Sequence, residues 1–184
     1  MKAKWYLLVL PLLLSACGYN TIQTMDEGAA AARQQIEVQL QRRADLVPNL
    51  VNTVKGFAAQ EERIFTEVAQ ARAALSGAVR GGNIGEMANA NEGLTGSLGR
   101  LLAIAENYPQ LKSDQNFLRL QDELTGTENR IAVSRTDYNN AVRDYNAYIR
   151  RFPAVLTAKV TGAKAREYFE VTSPGAREAP EVKF

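Results

Sequence analysis

The sequence predicts an all-α protein: an elongated antiparallel helical bundle of the up-and-down type, with three long helices and a short C-terminal helix. Apolar residues recur at alternating steps of four and three over long stretches, a spacing typical of helices that face other helices. Glycines and prolines separate these stretches. No alternating apolar pattern joined by a tight turn indicates a β-hairpin.

The first long helix is predicted from an apolar seam over residues 36–75, which only Arg43 and Glu61 interrupt with charge. Pro48 cannot donate its amide, and its ring crowds the carbonyl of Ala44, so a kink or break is expected nearby. Because the seam keeps its phase across Pro48, we expect one kinked helix about 60 Å long. A full reversal at Pro48 is the alternative, and it would produce a compact four-helix bundle.

The second helix is predicted from a seam over residues 84–108, after a glycine-rich turn at residues 81–83. Gly93, Gly96 and Gly99 lie three residues apart on this helix. Each costs roughly 1 kcal/mol relative to alanine in a helix. They either let a neighbour approach the backbone closely or leave a weak helix.

The third helix is predicted to begin at Ser113 or Asp114, either of which can cap a helix N-terminus, and to stop at Pro153. Its seam has the spacing of a coiled coil. The residues that recur at intervals of seven are Phe117, Leu124, Ile131, Tyr138, Tyr145 and Phe152. A short fourth helix is expected within residues 154–170.

The first residues have the pattern of an export signal. Lys2 and Lys4 precede an apolar run over residues 5–16, and the run ends in Leu-Ser-Ala before Cys17. This order resembles the bacterial lipobox, in which the chain is cut before the cysteine and the thiol receives a lipid. The run is shorter than the roughly 20 residues of a membrane-spanning helix, although an uncleaved membrane helix stays as the alternative.

The expected organisation is a signal peptide at residues 1–16, a lipidated tether at 17–22, a helical bundle domain at 23–170 and an irregular tail at 171–184. Cys17 is the only cysteine, so no disulfide forms within the chain. The residue after Cys17 is Gly18 and not an aspartate. For a host with two membranes, resemblance to known lipoproteins then favours the outer membrane, with the protein facing the periplasm.

Composition disfavours several classes of function. Residues 1–16 contain two lysines and no acid, so the remaining chain has 20 basic and 20 acidic residues and no excess positive charge for nucleic acid. The chain contains no histidine, the commonest general base and transition-metal ligand. We therefore expect no metal, no cofactor and no catalytic constellation.

Several motifs, in their order and spacing, resemble the LemA family of bacterial envelope proteins. They are the segment 42–51 (RRADLVPNLV), the turn 106–112 (ENYPQLK), Glu61, Arg72, Glu128, Ile131, Arg135, and the pairs Tyr138-Asn139 and Tyr145-Asn146. The resemblance implies a helical bundle and a role in assembling or presenting other surface proteins. Many members have an N-terminal transmembrane helix, whereas this chain has a lipobox.

The candidate site residues are charged or polar groups on the predicted seams. Arg43 and Glu61 are expected to find partners on other helices, because buried charges are rarely unpaired. The available partners are Arg72, Glu106, Glu128 and Arg135. Pairs that set helix register are favoured over a polar groove or switch. A carboxylate metal site built from Asp45, Glu61, Glu106 and Glu128 is disfavoured without histidine.

Tyr138 and Tyr145 are expected to pack in the core with their hydroxyls at its rim. The adjacent Asn139 and Asn146 either contact a partner protein or satisfy neighbouring groups of the chain. The predicted function is that of a membrane-anchored scaffold or adaptor, held by lipid on Cys17, which binds envelope proteins or a second copy. A carboxylate-dependent enzyme acting on cell-wall material and a passive spacer are the alternatives.

Overall fold

The computed structural model describes the backbone of residues 3–171 and the side chains of residues 18–171. This part of the chain is helical and contains no β-strand, so the predicted all-α bundle is confirmed. The helices are α1 (Ala3–Lys55), α2 (Glu62–Gly81), α3 (Ile84–Ala105), α4 (Pro109–Lys112), α5 (Gln115–Tyr148) and α6 (Ala154–Thr161).

The chain divides into two compact units. The first, Met1–Gln35 with Ser134–Tyr168, contains the first part of α1, the last part of α5, and α6. The second, Ile36–Val133 with Phe169–Phe184, contains the rest of α1, α2, α3, α4 and the first part of α5. We call the first the strap unit, after the non-helical residues 163–168 that follow α6, and the second the four-helix unit.

The four-helix unit is an up-and-down bundle of α1, α2, α3 and α5, with each helix antiparallel to the one before it. Contacts between residues far apart in sequence establish these directions. They are Arg72 with Ala44, Arg100 with Glu67, Gln39 with Arg130, Gln60 with Tyr108, and Arg43 with both Asn91 and Glu128. The core contains the predicted seams, including Ile36, Leu40, Val47, Leu50, Val54, Val68, Leu75, Leu94 and Leu101.

The prediction of one helix over residues 36–75 is wrong. Helix α1 continues through Pro48 and ends at Lys55, and α2 begins at Glu62 after a turn. The Nε of Arg72 lies 2.8 Å from the carbonyl oxygen of Ala44, which a continuous helix would hold about 40 Å away. The chain therefore reverses at residues 56–61, beginning at Gly56, where a helix is intrinsically weak.

Side-chain caps mark the starts of two helices, and the cap at Asp114 was one of the two predicted for the third helix. The side chain of Asn83 accepts a hydrogen bond from the amide of Glu86 at the start of α3, and the carboxylate of Asp114 accepts one from Phe117 at the start of α5. Helix α5 ends at Tyr148, five residues before Pro153. Phe152 is therefore off the seam and is 81% exposed.

The strap unit has its own small core of Ile22, Tyr145, Ile149 and Ala158, from α1, α5 and α6. Helix α6 matches the predicted short fourth helix, and residues 163–171 after it are not helical. Ile22 belongs to the segment for which we predicted a tether, and in the structure it is helical and buried. Of the predicted tail, residues 172–184 lie outside the described residues.

Candidate interaction site

A buried arginine joins three helices of the four-helix unit. Arg43 on α1 is 4% exposed, and its guanidinium donates to the side-chain oxygen of Asn91 on α3 at 2.6 Å. The same guanidinium forms an ion pair with Glu128 on α5. Its Nε is buried and donates to no acceptor in the described part of the chain. Arg43 therefore has one donor for which the described chain offers no partner.

The charge of Arg43 is held by two nearby carboxylates. Burial lowers the pKa of Arg43, while Glu128 and Glu92 raise it. Because an arginine stays protonated at physiological pH, the cation is retained even in this desolvated position. Removal of either carboxylate would leave a buried charge that is poorly compensated.

A groove lies beside this cluster, between α3 and α5. One cavity of about 270 Å³ has Arg43 and Glu128 in its wall, and a neighbouring cavity of about 320 Å³ has Glu106 and Lys112 in its wall. Both cavities are lined by Gly99, Leu102 and Gln121. We call the two together the α3–α5 groove. The other residues that line it are Thr95, Leu98, Ala103, Ala105, Phe117, Leu124, Thr125 and Asn129.

The glycines of α3 leave open space beside its exposed face. Apart from its chain neighbours and the nearby backbone of α3 itself, a Cβ atom added at Gly93, Gly96 or Gly99 would meet no atom of the described chain within 4 Å. No neighbour within the described chain therefore uses these glycines for a close approach. Since each still costs roughly 1 kcal/mol of helix stability, internal packing does not explain them.

Arg72 satisfies the carbonyl that Pro48 leaves without a donor. In a helix the carbonyl of Ala44 would accept from the amide of residue 48, which proline lacks. The Nε of Arg72 on α2 donates to that carbonyl instead, at 2.8 Å. This bond accounts for the passage of α1 through Pro48 in the four-helix unit, because the neighbouring helix supplies the donor that the carbonyl of Ala44 lacks.

The structure does not bring the remaining candidate carboxylates together. Asp45 is exposed and accepts from Gln41 at 2.9 Å, Glu61 lies in the turn before α2, and Glu106 borders the α3–α5 groove. Among the described residues, no group of three or more histidine, cysteine, aspartate or glutamate side chains is placed to hold a metal ion. Arg135 is exposed in the strap unit.

Two other candidates, Tyr138 and Asn146, bind a backbone segment of the strap unit. The hydroxyl of Tyr138 donates to the carbonyl of Glu167 at 2.7 Å. The side-chain amide of Asn146 donates to the carbonyl of Arg166 at 2.9 Å and accepts from its amide at 2.8 Å. Asn139, also a candidate, is half-buried and has a partner of its own.

Asp26 and Arg166 complete this arrangement, and sequence reasoning missed both. The Nε of Arg166 donates to the carboxylate of Asp26 at 2.7 Å. This bond holds the pKa of Asp26 below its ordinary value and raises the pKa of Arg166. Burial raises the pKa of Tyr145, which lies beside the pair. No sequence signal links two residues 140 positions apart.

Cys17 lies outside the described side chains, so the structure says nothing of its thiol. Within the described residues, no helix offers a stretch both long enough and apolar enough to span a bilayer.

Comparison with known proteins gives one family and a group of named relatives. The model of the LemA family matches residues 32–184. Two MamQ magnetosome proteins of Paramagnetospirillum magneticum (strain ATCC 700264 / AMB-1) are each 34% identical over 180 residues. The MamQ magnetosome protein of Magnetospirillum gryphiswaldense is 33% identical over the same length. Each alignment covers 85% of this chain and 66% of the relative, so the chain spans about two thirds of these relatives' length.

Proposed function

Because the chain belongs to the LemA family, we propose that it is a lipid-anchored helical scaffold of the bacterial cell envelope. In this proposal it binds other envelope proteins or a second copy and catalyses no reaction. Similarity to the MamQ magnetosome proteins supports association with a membrane. The lipobox-like run before Cys17 supports attachment through lipid on that cysteine, on the secreted side of the membrane.

The observation that carries the binding function is the α3–α5 groove. Its wall combines apolar side chains such as Leu98, Leu102 and Leu124 with the buried Arg43, whose Nε donates to no described acceptor. Beside it, the glycines of α3 leave the helix backbone open. An apolar segment of a partner fits this chemistry, because it would cover the apolar side chains that line the groove.

Bulky residues at Gly99, which lines the groove, and at Gly96, about one helical turn before it, test this surface. Leucine at both positions fills open space and improves the intrinsic helix propensity, so the protein should remain folded. Cross-linking in native membranes followed by affinity capture should recover envelope partners with the unchanged protein and at least about 10-fold less with the double variant, the loss that roughly 1.4 kcal/mol of binding energy gives.

Gly77→Leu is the matched control. Gly77 is an exposed glycine of α2 with the same open space around a Cβ, but it does not line the groove. Equal capture by the unchanged protein, the control and the groove variant would remove the α3–α5 groove from the proposal.

The anchor is tested separately. Labelling of cells with a fatty acid should mark the protein, and Cys17→Ala should abolish the label and release the protein from membranes. A Cys17→Ala protein that still carries the label would exclude Cys17 as the lipidated residue. A protein that loses the label but stays in membranes would show that another element holds it there.

A further inference from the structure

The segment after α6 lies in the strap unit without helical structure. Helix α6 ends at Thr161 and is followed by Gly162, whose φ of 72° is in the left-handed region, and residues 163–168 continue from there. We call residues 163–168 the strap. A glycine at this position provides a sharp change of direction, which separates the strap from the helix that precedes it.

The strap is bound mainly through its backbone. Asn146 forms two hydrogen bonds with the amide and carbonyl of Arg166, as a neighbouring strand would, and Tyr138 binds the next carbonyl. Side-chain contacts that select for sequence come from Arg166, which forms an ion pair with Asp26 and lies over the ring of Tyr145 at 6.0 Å. A cavity of about 370 Å³, lined in part by Ile22, Gln23 and Arg166, lies beside the strap, while Ala163 packs against the core of the strap unit.

We infer that the surface formed by Asp26, Tyr138 and Asn146 is a binding site for an extended segment, and that a second copy of the chain supplies its strap to this site in trans. The ligand chemistry is an arginine flanked by free backbone amides and carbonyls. A strap from another copy carries the same groups and therefore makes the same bonds. Two copies that exchange straps form a closed pair, as in other domain-swapped dimers.

Concentration decides which copy occupies the site. The strap of the same chain is favoured in dilute solution, because a short connection gives a high effective concentration. Copies held on one membrane surface are concentrated, which favours exchange. This inference goes beyond the α3–α5 groove and does not depend on it, since no residue of the exchange site lines that groove.

Charge reversal in full-length chains tests the exchange. Asp26→Arg and Arg166→Asp each place two like charges together, within a chain or between two copies of one variant. In an equimolar mixture, opposite charges meet only between the two variants, so heterodimers should form. Light scattering after size-exclusion chromatography and capture with two different affinity tags detect them. The chain with both changes should remain monomeric, and adding Asn146→Ala to both variants should abolish the heterodimer.

A mixture that stays monomeric, while the chain with both changes protects its strap from proteolysis as the unchanged protein does, would overturn the inference. If the reversed pair does not protect the strap, a fluorescent peptide of residues 161–168 decides the matter. It should bind the full-length Arg166→Ala chain at least about 10-fold more tightly than the Asp26→Ala/Arg166→Ala chain, as expected for a charge-assisted hydrogen bond. Equal binding to both chains would reject the site.

Discussion

Each unit contains an arginine paired with a carboxylate, and the two pairs differ in how much water reaches the arginine. The Arg43 side chain in the four-helix unit is 5% exposed, whereas that of Arg166 in the strap unit is 25% exposed. Burial lowers the pKa of Arg43, and the bond to Asp26 raises that of Arg166. A buried charge that loses its partner is costly, whereas an accessible one is rehydrated. The first pair therefore joins helices, and the second holds a segment that can be released.

The largest expected effect is the loss of Glu128. Glu128→Ala leaves the buried Arg43 cation without its ion-pair partner, so the free energy of unfolding should fall by about 3 kcal/mol. The change is measured by urea denaturation. Asp26→Ala, the equivalent change in the strap unit, should cost less than about 1 kcal/mol. Equal costs for the two variants would end the distinction between the pairs.

Replacement of Arg43 tests whether Glu128 stabilises the fold through this ion pair. Arg43→Met fills a similar volume without charge, so Glu128→Ala should cost little in its presence. A double-mutant cycle in urea then measures the coupling between the two residues. Additive costs would mean that Glu128 stabilises the fold through something other than Arg43.

A smaller effect, about 2 kcal/mol, is expected from Arg72→Ala, because it leaves the half-buried carbonyl of Ala44 without a donor. Pro48→Ala restores the helical amide to that carbonyl and should remove most of the cost. Thermal unfolding of the two single variants and the double variant measures this. If Arg72→Ala lowers the stability equally with and without Pro48, Arg72 does not stabilise the fold by replacing the donor that the proline lacks.

In the strap unit, loss of the hydrogen bonds from Asn146 should destabilise the strap alone. Asn146→Ala removes two hydrogen bonds to the backbone of Arg166 and should weaken the strap by about 1 kcal/mol, roughly a fivefold rise in amide exchange at that residue. Hydrogen exchange should speed up at the strap and stay unchanged in α2 and α3. Faster exchange throughout the chain would show that the strap supports the whole fold.

The smallest effect is a dependence on pH. The pKa of Asp26 is lower in the folded protein than its ordinary value of 3.8, so its bond to Arg166 stabilises the strap fully above that value. The stabilisation is lost as the pH falls through the lower folded value. Proteolysis of the strap by an acid-active protease should therefore increase below about pH 4. Asp26→Asn should remove this dependence, and a strap that responds identically in that variant would assign it to another group.

The reversal of the chain shows why periodicity was insufficient. The seam from Ile36 to Leu75 keeps one phase, but the same spacing describes one long helix or two helices folded against each other. Pro48 was the expected weak point, yet α1 continues through it. The bond from Arg72 to Ala44 exists only after the chain reverses at residues 56–61, so tertiary structure offsets the cost of the proline.

The candidate site was predictable only in part. Arg43 stands out in the sequence as a charge on an apolar seam, and Glu128 was among four available partners. Asn91 lies within the seam predicted over residues 84–108 but was not singled out as a partner of Arg43, and Asp26 and Arg166 carry no local signal at all. The open face of α3 was equally undetermined, because a run of spaced glycines looks the same whether a neighbour fills the space or not.

The sequence by itself determined that this protein is helical, where α3 and α5 begin, and which faces are apolar. Those features depend on spacing and on caps such as Asp114, which act over three or four residues. Only the tertiary structure decided where the first seam reverses and how the chain divides into a strap unit and a four-helix unit. It also decided which carboxylate meets each arginine, because Glu128 and Arg43 are far apart in sequence and become neighbours only when α1 and α5 pack together.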